Sequence, residues 1–139
     1  ALPEAAGVPV LAADTVVSLD GEIFGKPRDG AEAEEMLSRL SGRRHTVYTG
    51  VAVAAGRRME VAAARTIVEF ASLTAEEIRR YVATGEPLDK AGAYAGQGRA
   101  AVFITRIEGS FSNVVGLPLH LTAVLAERAG IDLYDHDGA

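Results

Sequence analysis

The chain has 139 residues, 48% of them hydrophobic and 24% charged, with a formal net charge of −5 and no cysteine. That length suits one domain with a real core, and the balance is too apolar for a disordered chain and too acidic for a general nucleic-acid surface, which needs clustered Lys and Arg. Disulfide and thiolate chemistry are excluded, no run is long and apolar enough to span a membrane, and Ala1-Leu2-Pro3-Glu4 lacks the regions of a signal peptide, so the expected setting is cytoplasmic.

Residues 1–7 are expected to fray and residues 8–13 to form a buried type of strand. The strand delivers an acid and a hydroxyl side by side, Asp14 and Thr15. Asp20-Gly21 reads as a type I′ turn, because both positions tolerate positive φ. Residues 16–19 and 22–24 should therefore pair antiparallel and carry Lys26 back toward Asp14. A carboxylate and an ammonium on neighbouring backbone suit a phosphate and its metal. Asp14 can hold a hard cation or take a proton from water, and Lys26 can neutralise phosphoryl oxygens. Pro27 helps set the exit angle of the lysine. The same residues also fit a plain surface hairpin.

Asp29 is a good N-cap with Glu32 as its capping-box partner, and Ala33, Met36, Leu37 and Leu40 share one helical face that Gly42 should end. From Thr46 the period changes to two. Val47, Thr49, Val51 and Val53 point one way and Tyr48, Gly50, Ala52 and Ala54 the other; after a turn at 55–58, residues 59–70 form the returning strand. The pairs Arg43-Arg44 and Arg57-Arg58 read as solvated turn tips.

Thr74 and Glu77 make a second capping box, Ile78, Tyr81 and Val82 an apolar stripe, and Gly85 a stop. Residues 87–98 follow, crowded with glycine around Asp89, Lys90 and Gln97. Glycines let a ligand approach backbone N–H groups closely, although an irregular loop would look the same. Residues 101–107 read as a strand, 109–113 as a turn, and Pro118 as the first turn of a helix carrying Leu121, Val124 and Leu125, with a polar tail after Gly130. His45, His120 and His136 stand apart without metal-binding spacing, so no zinc centre is expected, and no nucleophile elbow, Walker loop or dinucleotide fingerprint occurs. The chemistry left is that of carboxylates, lysines and a divalent metal.

Five blocks in order carry a family resemblance: Ala13-Asp14-Thr15-Val16-Val17, Gly25-Lys26-Pro27, Leu40-Ser41-Gly42-x-x-His45-x-Val47-Tyr48-Thr49-Gly50, Gly85-Glu86-Pro87-x-Asp89-Lys90-Ala91-Gly92-Ala93-Tyr94 and Gly109-Ser110-x-x-Asn113-Val114-Val115-Gly116-Leu117-Pro118. Together they closely resemble the Maf family of nucleoside triphosphate pyrophosphatases, also named for inhibition of septum formation. The resemblance implies an elongated α/β fold, similar to that of the ITPases, with a mixed β-sheet flanked by helices. It also implies a homodimer, and a hydrolase that cuts a nucleotide between its α and β phosphates with Mg²⁺ or Mn²⁺.

Carried over by position, the resemblance makes Asp14 the proton acceptor and metal ligand and Lys26 the lysine on the phosphate side. Thr15 and Gln97 match the positions that separate the dTTP and UTP branch from the branch acting on 7-methyl-GTP. A glutamine amide offers a donor and an acceptor, the complement of the O4 and N3–H edge of thymine or uracil. Asp89 and Lys90 fall in a family block as substrate-binding candidates, or as a pair with each other. The family's opening Ser-x-Ser-Pro-Arg-Arg motif does not occur in this sequence. The expectation is therefore one Maf-like domain, residues 1–139, without that N-terminal segment. A nucleotide-binding regulator of cell division without turnover is the competing expectation. A hydrolase of deaminated purine triphosphates is a third, and Gln97 speaks against it.

Overall fold

Asp20 and Gly21 have φ of 50° and 83°, so the chain reverses tightly between strand β1 (Val10–Leu19) and strand β2 (Glu22–Phe24), with Leu19 opposite Glu22. The expected type I′ reversal is there. The computed structural model describes residues 8–134, so the expected fraying of residues 1–7 and the position of His136 lie outside the described residues. What were expected as a strand at 8–13 and a hairpin arm at 16–19 are one continuous strand through Asp14 and Thr15. The reason is a partner far along the chain. Strand β3 (Arg44–Ala55) pairs along β1 from Ala54 opposite Val10 to Thr46 opposite Ser18, and a full ladder keeps the backbone extended.

Strand β4 (Arg58–Phe70) returns antiparallel along β3, and strand β5 (Ile104–Glu108) pairs with the end of β4 across a register shift at Glu69 and Phe70. The order is β2-β1-β3-β4-β5. The α/β class with a helix-flanked sheet holds, and every pairing among the described residues is antiparallel where the resemblance implied a mixed sheet. β5 is shorter than expected because residues 99–103 wind into a 3₁₀ turn that buries Ala100 and Phe103, three apart.

Helix α1 (Gly30–Leu40) starts where the sequence places it, with Asp29 accepting from the Glu32 N–H at 2.9 Å. The expected box closes one residue early: the Glu32 carboxylate takes the Arg28 N–H at 3.0 Å and the Arg28 guanidinium at 2.7 Å. Helix α2 (Ala75–Ala83) has the full reciprocal box of Thr74 and Glu77. The expected turn at 109–113 is instead a cap at Ser110 and a short helix α3 (Phe111–Val115), followed after Pro118 by α4 (Leu119–Arg128). Among the described residues no helix is long and apolar enough to cross a membrane.

The period-two pattern of β3 decides which sheet face is covered. Val17, Leu19, Val47 and Val68 pack with Ala33, Leu37 and Leu40 of α1 and Ile78 and Tyr81 of α2. Farther along the same face, Val51 and Val53 pack with Leu125, Ala126 and Ala129 of α4 and the segment after it. Each fully buried Leu or Val contributes about 1.5–3 kcal/mol. Between these two clusters the sheet face is left open at Thr15.

Candidate active site

The opening is a cleft of about 380 Å³ whose lining includes Asp14, Thr15, Lys26, Asp89, Lys90 and Tyr94, with Val114, Val115 and Gly116 as a wall. The register puts Thr15 on the covered side with Val17 and Val47. Asp14 therefore leaves β1 on the opposite side, where it borders a shallow depression with Gly50, Ala52 and Val61. It still reaches the cleft because β2 pairs only with Val17, Ser18 and Leu19, leaving the β1 edge at Asp14 uncovered by β2.

One backbone bond explains how two distant lysines meet. The Gly92 N–H donates to the Gly25 carbonyl at 3.0 Å, which ties the residue before Lys26 to the loop after Lys90. Gly92 lies against β1 so closely that a Cβ would stand 2.7 Å from Val17 Cγ2. Gly92 and Ala93 both have left-handed φ, 69° and 66°, and this double reversal turns Tyr94 into the cleft lining. A buried alanine in that region is strained, a feature concentrated at ligand sites. Asp89 and Lys90 do pair, but at 4.0 Å and largely exposed. Such a contact is weak, so Lys90 stays available to a phosphate.

Five of the six residues singled out in the sequence thus line one cleft, although no ion pair joins Asp14 to Lys26 among the described residues. Gln97 is the exception. It is exposed on the turn two residues beyond Ala95, which does line the cleft. The cleft carboxylates are Asp14 and Asp89, and no group of three or more His, Cys, Asp or Glu converges among the described residues. That donor set fits a hard cation held by one or two carboxylates and completed by water and substrate phosphate, and does not fit a closed zinc site. The Arg43 and Arg44 pair is spent elsewhere, on Asp20 and, at 3.1 Å, on Glu108.

Behind the lining are polar contacts to which the sequence reading gave no role. Thr15 Oγ1 and Thr49 Oγ1 are 2.9 Å apart, and the Thr49 hydroxyl donates to the Asn113 carbonyl at 3.5 Å. Fully buried Asn113 donates through Nδ2 to the Val47 carbonyl at 3.2 Å and to Thr66 Oγ1 at 2.9 Å. These bonds hold α3, and with it the wall at Val114, against the sheet. The available signal was the spacing of Ser110 and Asn113, which fits an N-cap. His45 is part of the packing behind the cleft: its Nε2 is 2.6 Å from Tyr94 Oη, and burial pushes its pKa down to about 4, so the ring is neutral at pH 7. Burial also raises the Tyr94 phenol, so both partners are uncharged.

The family described as Maf-like protein matches residues 2–129. The chain belongs to the Maf family. Its relatives include a protein of Symbiobacterium thermophilum, 56% identical over 128 residues, which are 92% of this chain and 66% of the relative. A protein of Myxococcus xanthus is 58% identical over 127 residues, 91% of this chain and 64% of its own length. Another, from Pelotomaculum thermopropionicum, is 57% identical over 126 residues. Each is named dTTP/UTP pyrophosphatase. This Maf chain spans slightly less than two thirds of the length of these relatives.

Proposed function

We propose that this Maf-family chain carries the catalytic cleft of a nucleoside triphosphate pyrophosphatase that converts dTTP and UTP to the monophosphate and pyrophosphate. The observation that carries the reading is the convergence of Asp14, Lys26 and Lys90 on one cleft, brought together by the Gly92 to Gly25 bond. The names of the relatives point the same way.

In this reading the substrate phosphates lie along Lys26 and Lys90, whose charges offset the negative charge that builds up as the anhydride breaks. Asp14 accepts a proton from a water whose oxygen bonds to phosphorus at the α–β junction, and the electron pair of the broken P–O bond leaves with pyrophosphate. A divalent cation, Mg²⁺ or Mn²⁺, held at Asp14 would add further charge neutralisation at the phosphate oxygens. Thr15 faces the base from the sheet and Gln97 from the rim. The net charge of −5 favours a small nucleotide over nucleic acid as partner. A cytoplasmic homodimer completes the proposal.

The test is release of pyrophosphate from UTP, dTTP and GTP by the full-length protein with Mg²⁺. Turnover of the pyrimidine nucleotides at least tenfold above GTP, roughly 1.4 kcal/mol of discrimination, is expected. UTP binding without any pyrophosphate would overturn the reading in favour of a nucleotide-binding regulator.

A further inference from the structure

The turn that carries Gln97 is pinned on both sides of it. The Ala95 N–H donates to Tyr81 Oη at 3.1 Å, the Gly98 N–H to the Ala95 carbonyl at 3.2 Å, and the Arg99 N–H to Glu86 Oε1 at 3.2 Å. Gly96 sits so close to α3 that a Cβ would stand 2.7 Å from Val114 Cγ1, and Val114 is cleft wall. At Gly98 a Cβ would stand 2.0 Å from Glu86 Oε1. A side chain at 98 would therefore meet the end of the Glu86 side chain and displace its carboxylate. The backbone of Gly98 has φ of −101° and ψ of −149°.

Glu86 is itself fixed. Its N–H donates to Thr84 Oγ1 at 3.2 Å, Gly85 before it turns with φ of 78°, and Pro87 after it is buried. Its Oε2 is buried and makes no hydrogen bond. Burial, with the neighbouring Glu86 carboxylate adding to it, keeps the Tyr81 hydroxyl protonated. The carboxylate and the phenol thus hold the turn at residues 95 and 99, with Gln97 exposed at its tip and Arg99 exposed beside it.

We propose that Glu86 is a positioning residue for base recognition: its carboxylate fixes the 95–99 turn so that Gln97 meets the base, and residue 98 is glycine to let that carboxylate in. The proposal rests on the pyrimidine triphosphate reading above. A side chain mounted on a pinned turn loses less freedom on binding than one on a loose loop. Loss of the grip therefore weakens the contact with the base while leaving the phosphate end, at Asp14 and Lys26, in place.

The experiment measures kcat and KM for UTP and GTP in the full-length protein and its Glu86→Ala, Glu86→Gln, Gly98→Ala and Glu86→Ala/Gly98→Ala variants. Glu86→Ala should raise the KM for UTP about tenfold, the scale of one hydrogen bond to a charged group, with kcat within about twofold of the parent. The preference for UTP over GTP should fall by the same factor. Glu86→Gln keeps an acceptor for the Arg99 N–H and should recover most of the loss. Gly98→Ala should mimic Glu86→Ala by pushing the carboxylate off Arg99, and the double variant should be no worse than either single one. An unchanged KM, equal losses on UTP and GTP, or additive losses in the double variant would overturn the proposal. If Glu86→Ala does not fold, Glu86→Gln and Gly98→Ala decide it. Absence of UTP turnover in the parent protein is a different outcome, and it would sink the functional reading itself.

Discussion

Replacing Asn113 by Ala removes the two Nδ2 bonds that hold α3 on the sheet, to the Val47 carbonyl and to Thr66 Oγ1. A neutral hydrogen bond is worth about 1 kcal/mol net. The two losses are unequal, because Thr66 Oγ1 keeps Ser110, whose N–H donates to it at 3.2 Å. Removing the Asn113 Oδ1, buried without a partner, gives some stability back. The truncated amide also leaves a small void at a site with no solvent exposure, which adds to the cost. The sum is about 2 kcal/mol of lost stability, within a range of about 1–3 kcal/mol. Urea unfolding should show a lower midpoint with an unchanged slope. Because Val114, Val115 and Gly116 follow directly, the KM for UTP should rise as well. A loss below about 0.5 kcal/mol, the scatter of ordinary surface changes, with unaltered KM would refute the idea that Asn113 holds the wall.

Asp14→Asn should lower turnover by a factor on the order of 100 or more with the fold intact, because an amide cannot accept the proton; near-normal kcat would remove Asp14 from that role. Gln97→Ala should cost roughly 1–3 kcal/mol of discrimination between UTP and purine triphosphates, and an equal loss on every nucleotide would leave Gln97 without a base contact. For His45 the folded pKa, about 4, lies below the ordinary 6.5. The unfolded chain binds the proton first, so stability is complete above pH 6.5 and falls by up to about 3 kcal/mol toward pH 4. In urea titrations at pH 7 and pH 4.5, His45→Gln should show a smaller acid loss than the parent, and an equal loss would refute the assignment. The 139-residue chain alone, with Lys26 and Lys90 as its cleft cations, should release far less pyrophosphate from UTP than one joined to the family's Ser-x-Ser-Pro-Arg-Arg segment. Equal rates would show that these lysines suffice.

The features legible in the sequence are those settled within a few residues. The left-handed pair Asp20-Gly21, the N-cap Asp29, the box of Thr74 and Glu77 and the alternation from Val47 to Val53 each depend on chemistry within about one turn or one strand. The family blocks likewise pointed to Asp14, Thr15, Lys26, Asp89 and Lys90, which do line one cleft. What only the tertiary structure decided depends on partners dozens of residues away. β3 made β1 continuous and thereby set Asp14 and Thr15 on opposite faces, where the sequence shows them merely adjacent. Asn113 reads as a turn residue until Val47 and Thr66, 66 and 47 positions earlier, appear beside its amide. Gly98 looks like loop glycine until the Glu86 carboxylate is found where its side chain would be. Local steric preference and capping are written into neighbouring residues, whereas burial and close approach depend on which distant segment arrives, and no local pattern encodes that.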